Sequence, residues 1–264
     1  MIKAIFFDID GTLVSFNTHK IPQSTIDSLK QLKAKGIKLF IATGRPPYDL
    51  KLLIEKDGLS ELFDGYLTFN GQYCYDQSGK LIHEEYLNPD DLKQFTNYIK
   101  DKDIACGFME IDYFYFNLHN SRLDKLKETL GDTAPTRAFD DMNRVLTHKT
   151  YQLNIFLDKD EEQEVLPFLS HCKSVRWCSF FSDIIPQNGG KGKGIAKVLA
   201  YYNISADEAM AFGDGGNDKE MLETVGHGIA MGNANDELKS IADFVTLDVD
   251  NDGIFYALKK YNLL

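Results

Sequence analysis

A chain of 264 residues with 43% apolar and 26% charged side chains has the composition of a soluble globular protein, and it is long enough for one large α/β domain or a domain with a sizeable insert. Its 40 acidic against 29 basic side chains give a net charge of −11, which disfavours nucleic acid and anionic membrane as partners and repels phosphorylated metabolites unless a site concentrates its own cations. No apolar run reaches the roughly 18 residues that a membrane span needs, no signal peptide precedes Ile2, and Cys74, Cys106, Cys172 and Cys178 lack zinc or redox spacing, so free thiols in a reducing cytoplasm are expected.

The first strand is predicted from Ala4 and stops abruptly at Asp8-Ile9-Asp10-Gly11-Thr12-Leu13. Strand side chains alternate, so Asp8 and Asp10 can share a face, and Gly11 lets the backbone turn away just after them. Two acids at one strand end repel each other unless a cation sits between them or one of them holds a proton, and both options are chemistry. Ile26, Leu29 and Leu32 mark the following helix, ended by Lys35-Gly36. Ile37 to Ala42 reads as a doubly buried strand running into Thr43-Gly44-Arg45-Pro46, a helix follows over about 49–56, and a third strand spans about 64–69. This alternation predicts a parallel sheet with crossover helices.

Asn70-Gly71 and Asp76-Gln77-Ser78-Gly79 then flank a polar hairpin, and from His83 the pattern changes. Asn88-Pro89-Asp90-Asp91 opens a helix with Leu92, Phe95 and Ile99 on one face. Strands near 105–111, 113–118, 151–157 and 174–181, helices near 122–130 and 161–169, and an irregular stretch with Pro135 complete an α+β insert. Its aromatics, among them Phe108, Tyr113, Phe114, Tyr115, Phe116, Trp177 and Phe180, read as sheet core. After Ile184-Ile185-Pro186 the alternation resumes: Gly189-Gly190-Lys191-Gly192-Lys193-Gly194 enters a helix, and Met210-Ala211-Phe212 is a strand ending at Gly213-Asp214-Gly215-Gly216-Asn217-Asp218. The expected division is a core from 1–82 and 184–264 with an insert over 83–183.

Asp8/Asp10, Thr43-Gly44, Lys191 and Asp214 to Asp218 thus all fall at strand or loop ends, where open α/β sheets bind ligands. These motifs, in this order, resemble the haloacid dehalogenase superfamily of phosphohydrolases, and within it the Cof-type sugar phosphatases with a large α+β cap. The resemblance spans the whole chain, and its first and last motifs are the specific ones. Around the lysine the match is looser: relatives often carry a polar residue where this chain has Gly190, and Lys193 is a rival, but Lys191 stands at the family's usual distance after Pro186. The flap after Thr12 is slightly long.

The resemblance implies a Rossmann-like core of haloacid dehalogenase fold with an inserted α+β cap that selects the substrate. It implies Asp8 as nucleophile, forming an aspartyl-phosphate, and Asp10 as the acid that protonates the departing sugar oxygen and then the base for water. Magnesium is the implied cofactor, held by the Asp8 and Asp214 carboxylates and the Asp10 carbonyl, with Asp218 orienting its waters or Lys191. Lys191, Gly11, Thr43, Gly44, Arg45 and Asn217 are the implied contacts of the phosphate and its ester, although Arg45 and Asn70 also have ordinary roles as an ion pair and a turn residue. The expected activity is hydrolysis of small sugar phosphates by a monomer or weak homo-oligomer, with a phosphomutase or a non-catalytic sugar-phosphate binder as alternatives. Retention of both Asp8 and Asp10 argues against a pure binder.

Overall fold

The computed structural model describes every residue except 57, 131–137 and 177–178; the expected irregular stretch at Pro135, together with Trp177 and Cys178, lies outside the described residues. In chain order the strands are β1 (Ala4–Phe7), β2 (Lys38–Ala42), β3 (Gly65–Thr68), β4 (Tyr73–Asp76), β5 (Leu81–Glu84), β6 (Cys106–Met109), β7 (Phe114–Phe116), β8 (Ala138–Phe139), β9 (Gln152–Ile155), β10 (Cys172–Val175), β11 (Ser182–Pro186), β12 (Ala209–Gly213), β13 (His227–Ala230) and β14 (Phe244–Val245). The chain divides into two compact units, residues 1–43, 51–84 and 190–264 in the first and residues 44–50 and 85–189 in the second. The borders therefore differ from those expected after 82 and 183, and 44–50 groups with the insert.

In the first unit the sheet order is β14-β13-β12-β1-β2-β3-β4-β5, parallel from β14 to β3 and antiparallel beyond. β1 lies between β2 and β12, so the strand order reverses there, and Asp8 is the residue at the tip of the switch-point strand. The apolar run that suggested a central strand is explained by burial of all four of its side chains. Phe6 stacks on Phe40 of β2 at 4.9 Å between ring centroids, and Phe7 stacks on Phe212 of β12 at 5.3 Å. Such pairs add to area burial and hold the three central strands in register. The helix Gln23–Ala34 buries Leu29 and Leu32 of the expected stripe, and Lys191–Tyr202 packs Ile195, Val198 and Leu199 against Phe6, Phe40 and Leu67.

The second unit is built on the sheet β10-β11-β9-β6-β7-β8, antiparallel apart from the β7–β8 pair. Leu92, Phe95 and Ile99 of helix Pro89–Ile99 are buried with Phe108, Tyr115, Leu153 and Ile155. Of the aromatics expected in the core, Phe108, Phe114, Tyr115 and Phe116 are buried, while Tyr113 and Phe180 are half-buried.

Two expected elements come out differently. The helix read over 161–169 is a four-residue helix, Lys159–Glu162, started by a capping box at Asp158, and a separate 3₁₀ turn Leu166–Phe168. Pro167 lacks the N–H that a continuing helix needs and its ring crowds the preceding turn. The strand read over 174–181 stops at Val175, and Ser182–Pro186, expected to lead back to the core, pairs between β10 and β9. Arg176, just past β10, donates to the carbonyls of Leu157 at 3.1 Å, Ser179 at 3.3 Å and Phe181 at 3.0 Å. Asn88 caps its helix by accepting from the Asp90 and Asp91 amides at 2.8 and 3.3 Å. Asn88→Ala is therefore expected to lower stability by about 1 kcal/mol, read as a fall in the denaturant midpoint at unchanged slope.

Candidate active site

Asp8 follows the end of β1, Thr43 follows β2, Asp214 follows β12, Asn70 lies just past β3, and Lys191 opens the helix Lys191–Tyr202. Because β3, β2, β1 and β12 are parallel neighbours, their carboxyl ends share one edge of the sheet, which brings together residues that are remote in sequence.

Lys191 is the centre of the cluster. Its side chain has no exposed surface, and Nζ donates to Asp8 Oδ1 at 2.5 Å and to Asp218 Oδ1 at 2.6 Å. Asp218 is itself held, since its Oδ2 accepts the backbone N–H groups of Asp214 and Gly215 at 2.9 Å each. Thr12 Oγ1 donates to Asp214 Oδ1 at 2.9 Å, and Asn217 Nδ2 donates to Asn70 Oδ1 at 3.0 Å. Gly11 makes the tight passage possible: its φ is +90°, and a Cβ there would stand 2.2 Å from Asp214 Oδ2. Lys193, the rival lysine, is exposed.

Burial pushes the Asp8 carboxyl up to about 7; Lys191 pulls it down, and Asp218 and Asp10 push it further up. Burial also raises Asp214 well above the carboxylate range, with Asp8 and Asp218 adding to the effect and Thr12 and Lys191 opposing it. For Lys191, burial alone would lower the ammonium's pKa, but the charges of Asp218 and Asp8 outweigh it and the group is raised. Three carboxylates therefore face one lysine in a desolvated pocket.

That donor set fits a hard divalent cation. One carboxylate oxygen each from Asp8, Asp214 and Asp218 lies within 4.8 Å of the others. Asp218 is the least suited of the three as a ligand, because its oxygens already serve Lys191 and two amides. Asp10 is half-buried in the turn beyond Asp8, near enough for its charge to act on the Asp8 carboxyl.

Gly44 and Arg45 group with the second unit, where the Gly44 carbonyl accepts from Gln152 Nε2 at 3.2 Å. Two residues beyond those expected from the sequence join the cluster, Thr12 through its bond to Asp214 and Asn233 through the Gly11 turn. Asn233 donates to the Gly11 carbonyl at 2.8 Å and accepts from the Val249 amide at 3.0 Å, fixing the turn from behind. The signal for Asn233 was its place in Gly232-Asn233-Ala234-Asn235, just past β13 of the same parallel sheet.

A folded-state pKa near 7 against the usual 3.8 means that the folded chain keeps the Asp8 proton after the unfolded chain has lost it. The contribution of Asp8 to stability is thus full below about pH 4 and is lost as pH rises to about 7. In metal-free protein the stability of Asp8→Asn relative to the native chain should rise across that window. Denaturation midpoints measured at a series of pH values check this, and a flat difference would contradict it.

The sequence profile of haloacid dehalogenase-like hydrolases matches residues 5–258. YkrA of Bacillus subtilis (strain 168) is 34% identical over 264 residues, covering 99% of this chain and 98% of its own. The 5-amino-6-(5-phospho-D-ribitylamino)uracil phosphatase YitU of the same strain is 29% identical over 277 residues, covering 97% and 96%. Among solved structures, the subclass IIB sugar phosphatase BT4131 of the haloacid dehalogenase superfamily matches with a TM-score of 0.91 at 36% identity, over 99% of this chain and 100% of that one. BT1666 from Bacteroides thetaiotaomicron, from work on phosphatases of that superfamily, matches with a TM-score of 0.89 at 35% identity, over 100% and 96%. With its fold and nearly its whole length matched, the chain belongs to the haloacid dehalogenase-like hydrolases, of Cof type, and is a phosphoric monoester hydrolase.

Proposed function

We propose that the chain is a magnesium-dependent phosphatase of small phosphorylated sugars that works through an aspartyl-phosphate on Asp8. The observation that carries the reading is the buried Asp8 carboxylate, fixed by Lys191 at 2.5 Å beside Asp214 and within reach of the charge of Asp10. Burial holds the Asp8 carboxyl above the usual carboxylate range, and a protonated carboxyl is a poor nucleophile, so the site needs more positive charge than Lys191 alone supplies. Asp8, Asp214 and the Asp10 carbonyl would hold magnesium, which when bound keeps the carboxylates ionised and offsets the charge of the phosphate.

In the first half-reaction an Asp8 oxygen attacks phosphorus and the bond from phosphorus to the sugar oxygen breaks, while Asp10 gives that oxygen its proton. In the second, Asp10 takes a proton from water, the water oxygen attacks phosphorus, and the acyl phosphate bond breaks to return Asp8 and release inorganic phosphate. Lys191, Thr43 and Asn217 meet the phosphoryl oxygens, where transition-state charge is spread. Asp218 acts through Lys191, holding the ammonium by one oxygen while the other is fixed by loop amides. Gly11 forms the turn that lets Asp214 approach.

The likeness to BT4131 supports sugar phosphates as the substrate class. We assign selection of the sugar to the α+β insert, since none of the phosphate-handling side chains of the first unit's cluster lies in it. Three buried free thiols, Cys74, Cys106 and Cys172, fit a reducing cytoplasm, and among the described residues no helix is long and apolar enough to cross a membrane.

Chelation should abolish turnover and added magnesium should restore it; undiminished activity in excess chelator would remove the metal from the reading. Asp8→Asn should give neither turnover nor a trapped phosphoenzyme. Asp10→Asn should slow single turnover by about 10²–10⁴-fold, and by more on a poor leaving group than on a good one. Equal losses on both would contradict its role as general acid. Across a panel of phosphate esters, phosphate release should favour hexose and related sugar phosphates over acetyl phosphate in kcat/KM.

A further inference from the structure

The turn after β3 holds three consecutive residues with positive φ: Phe69 at 51°, Asn70 at 56° and Gly71 at 93°. Glycine adopts such angles freely and asparagine tolerates them, but a phenylalanine does not, so the run persists only because its surroundings hold it. Those surroundings are three loops of the candidate active site. The Asn70 N–H donates to the Thr43 carbonyl at 2.8 Å, and Asn70 Oδ1 accepts from Asn217 Nδ2 at 3.0 Å. Gly71 presses on the turn before Lys191 so closely that a Cβ on it would stand 2.7 Å from the Gly190 carbonyl oxygen and 3.3 Å from Gly194 Cα. Next to it, Gln72 Oε1 accepts from the Gly190 N–H at 3.4 Å. Phe69, Asn70 and Gly71 are all buried.

We propose that this turn sets the spacing of Thr43, Lys191 and Asn217, and that Asn70 is the positioning residue that orients the Asn217 carboxamide for the phosphoryl group. A carboxamide nitrogen carries two N–H groups; tying one to Asn70 fixes the plane of the Asn217 amide and leaves the other for an anionic oxygen. Preorganisation of this kind acts on binding, because a freely rotating amide would have to be ordered each time phosphate arrives. The positive φ at Asn70 serves the same end: its backbone faces Thr43 while its side chain faces Asn217. The inference rests on the reading of Asn217 as a phosphate contact.

The test is inhibition by inorganic phosphate, with KM and kcat, for the native enzyme, Asn70→Gly, Asn217→Ala and the double variant, all with magnesium. Asn70→Gly keeps the left-handed backbone and removes the carboxamide whose oxygen accepts from Asn217; Asn70→Ala serves in its place if the glycine variant does not fold. Each single variant should raise KM and the phosphate inhibition constant about tenfold, and kcat should fall no further in Asn70→Gly than in Asn217→Ala. The double variant should be no worse than Asn217→Ala alone, since both act through one hydrogen bond. Neither constant depends on how much of a preparation is folded, so a merely structural role would leave both unmoved. If Asn217→Ala weakens phosphate while Asn70→Gly leaves it within about twofold of native, or if the two losses add, the proposal alone is overturned. If Asn217→Ala itself leaves phosphate inhibition unchanged, the assigned role of Asn217 falls and takes the proposal with it.

Discussion

A lysine ammonium with no exposed surface stays charged only if carboxylates are brought to it, and that requirement shapes the site edge of the first unit. Lys191 meets Asp8 and Asp218, and Asp218 in turn fixes the loop amides of Asp214 and Gly215. Breaking such a buried pair by removing one partner strands the other charge, at a cost on the order of 3–5 kcal/mol. The cluster therefore belongs to the folding energetics as well as to the chemistry. It also sets three carboxylates against one ammonium, and burial together with their mutual repulsion raises both Asp8 and Asp214. A site in that condition is poised to gain more from a cation or a proton than an exposed trio of acids would.

The parallel sheet lets segments from both ends of the chain reach this one spot. β1 sits between β2 and β12, with aromatic stacking across both seams, so the tips of three strands arrive side by side. Side-chain bonds then tie the loops to one another: Thr12 to Asp214, Asn217 to Asn70, and Asn233 to the Gly11 carbonyl. The arrangement resembles a ring of braces in which each of these loops is held by a neighbour.

The second unit answers a different demand. Its sheet buries Phe108, Tyr115, Leu153 and Ile155 under the helix Pro89–Ile99, so it has a core of its own. Its departures from the expected elements arise where one residue overrides a pattern. Pro167 splits an apolar stretch that reads as continuous helix, and Arg176 gathers three carbonyls into a loop where the apolar run reads as strand. Periodicity reports which face is apolar, but it does not report where backbone hydrogen bonds are lost or replaced.

What the sequence by itself determined is whatever depends on local chemistry. The apolar runs at Ala4–Phe7 and Ala209–Gly213 had to be buried strands, the carboxylates after them had to stand at strand tips, and Asn88-Pro89-Asp90-Asp91 had to start a helix. Together with the motif order, that made the fold class and the candidate residues Asp8, Asp10, Lys191 and Asp214 readable in the chain. Only the tertiary structure decided what depends on distance between remote segments. It buried Lys191 against Asp8 and left Lys193 exposed, tied Asp218 to the lysine, grouped 44–50 with the second unit, and joined Thr12 and Asn233 to the neighbouring loops. Hydrogen bonds between residues some 200 positions apart, such as Thr12 to Asp214 and Asn233 to Gly11, leave no local pattern, because neither partner alters the period or the turn signals around the other.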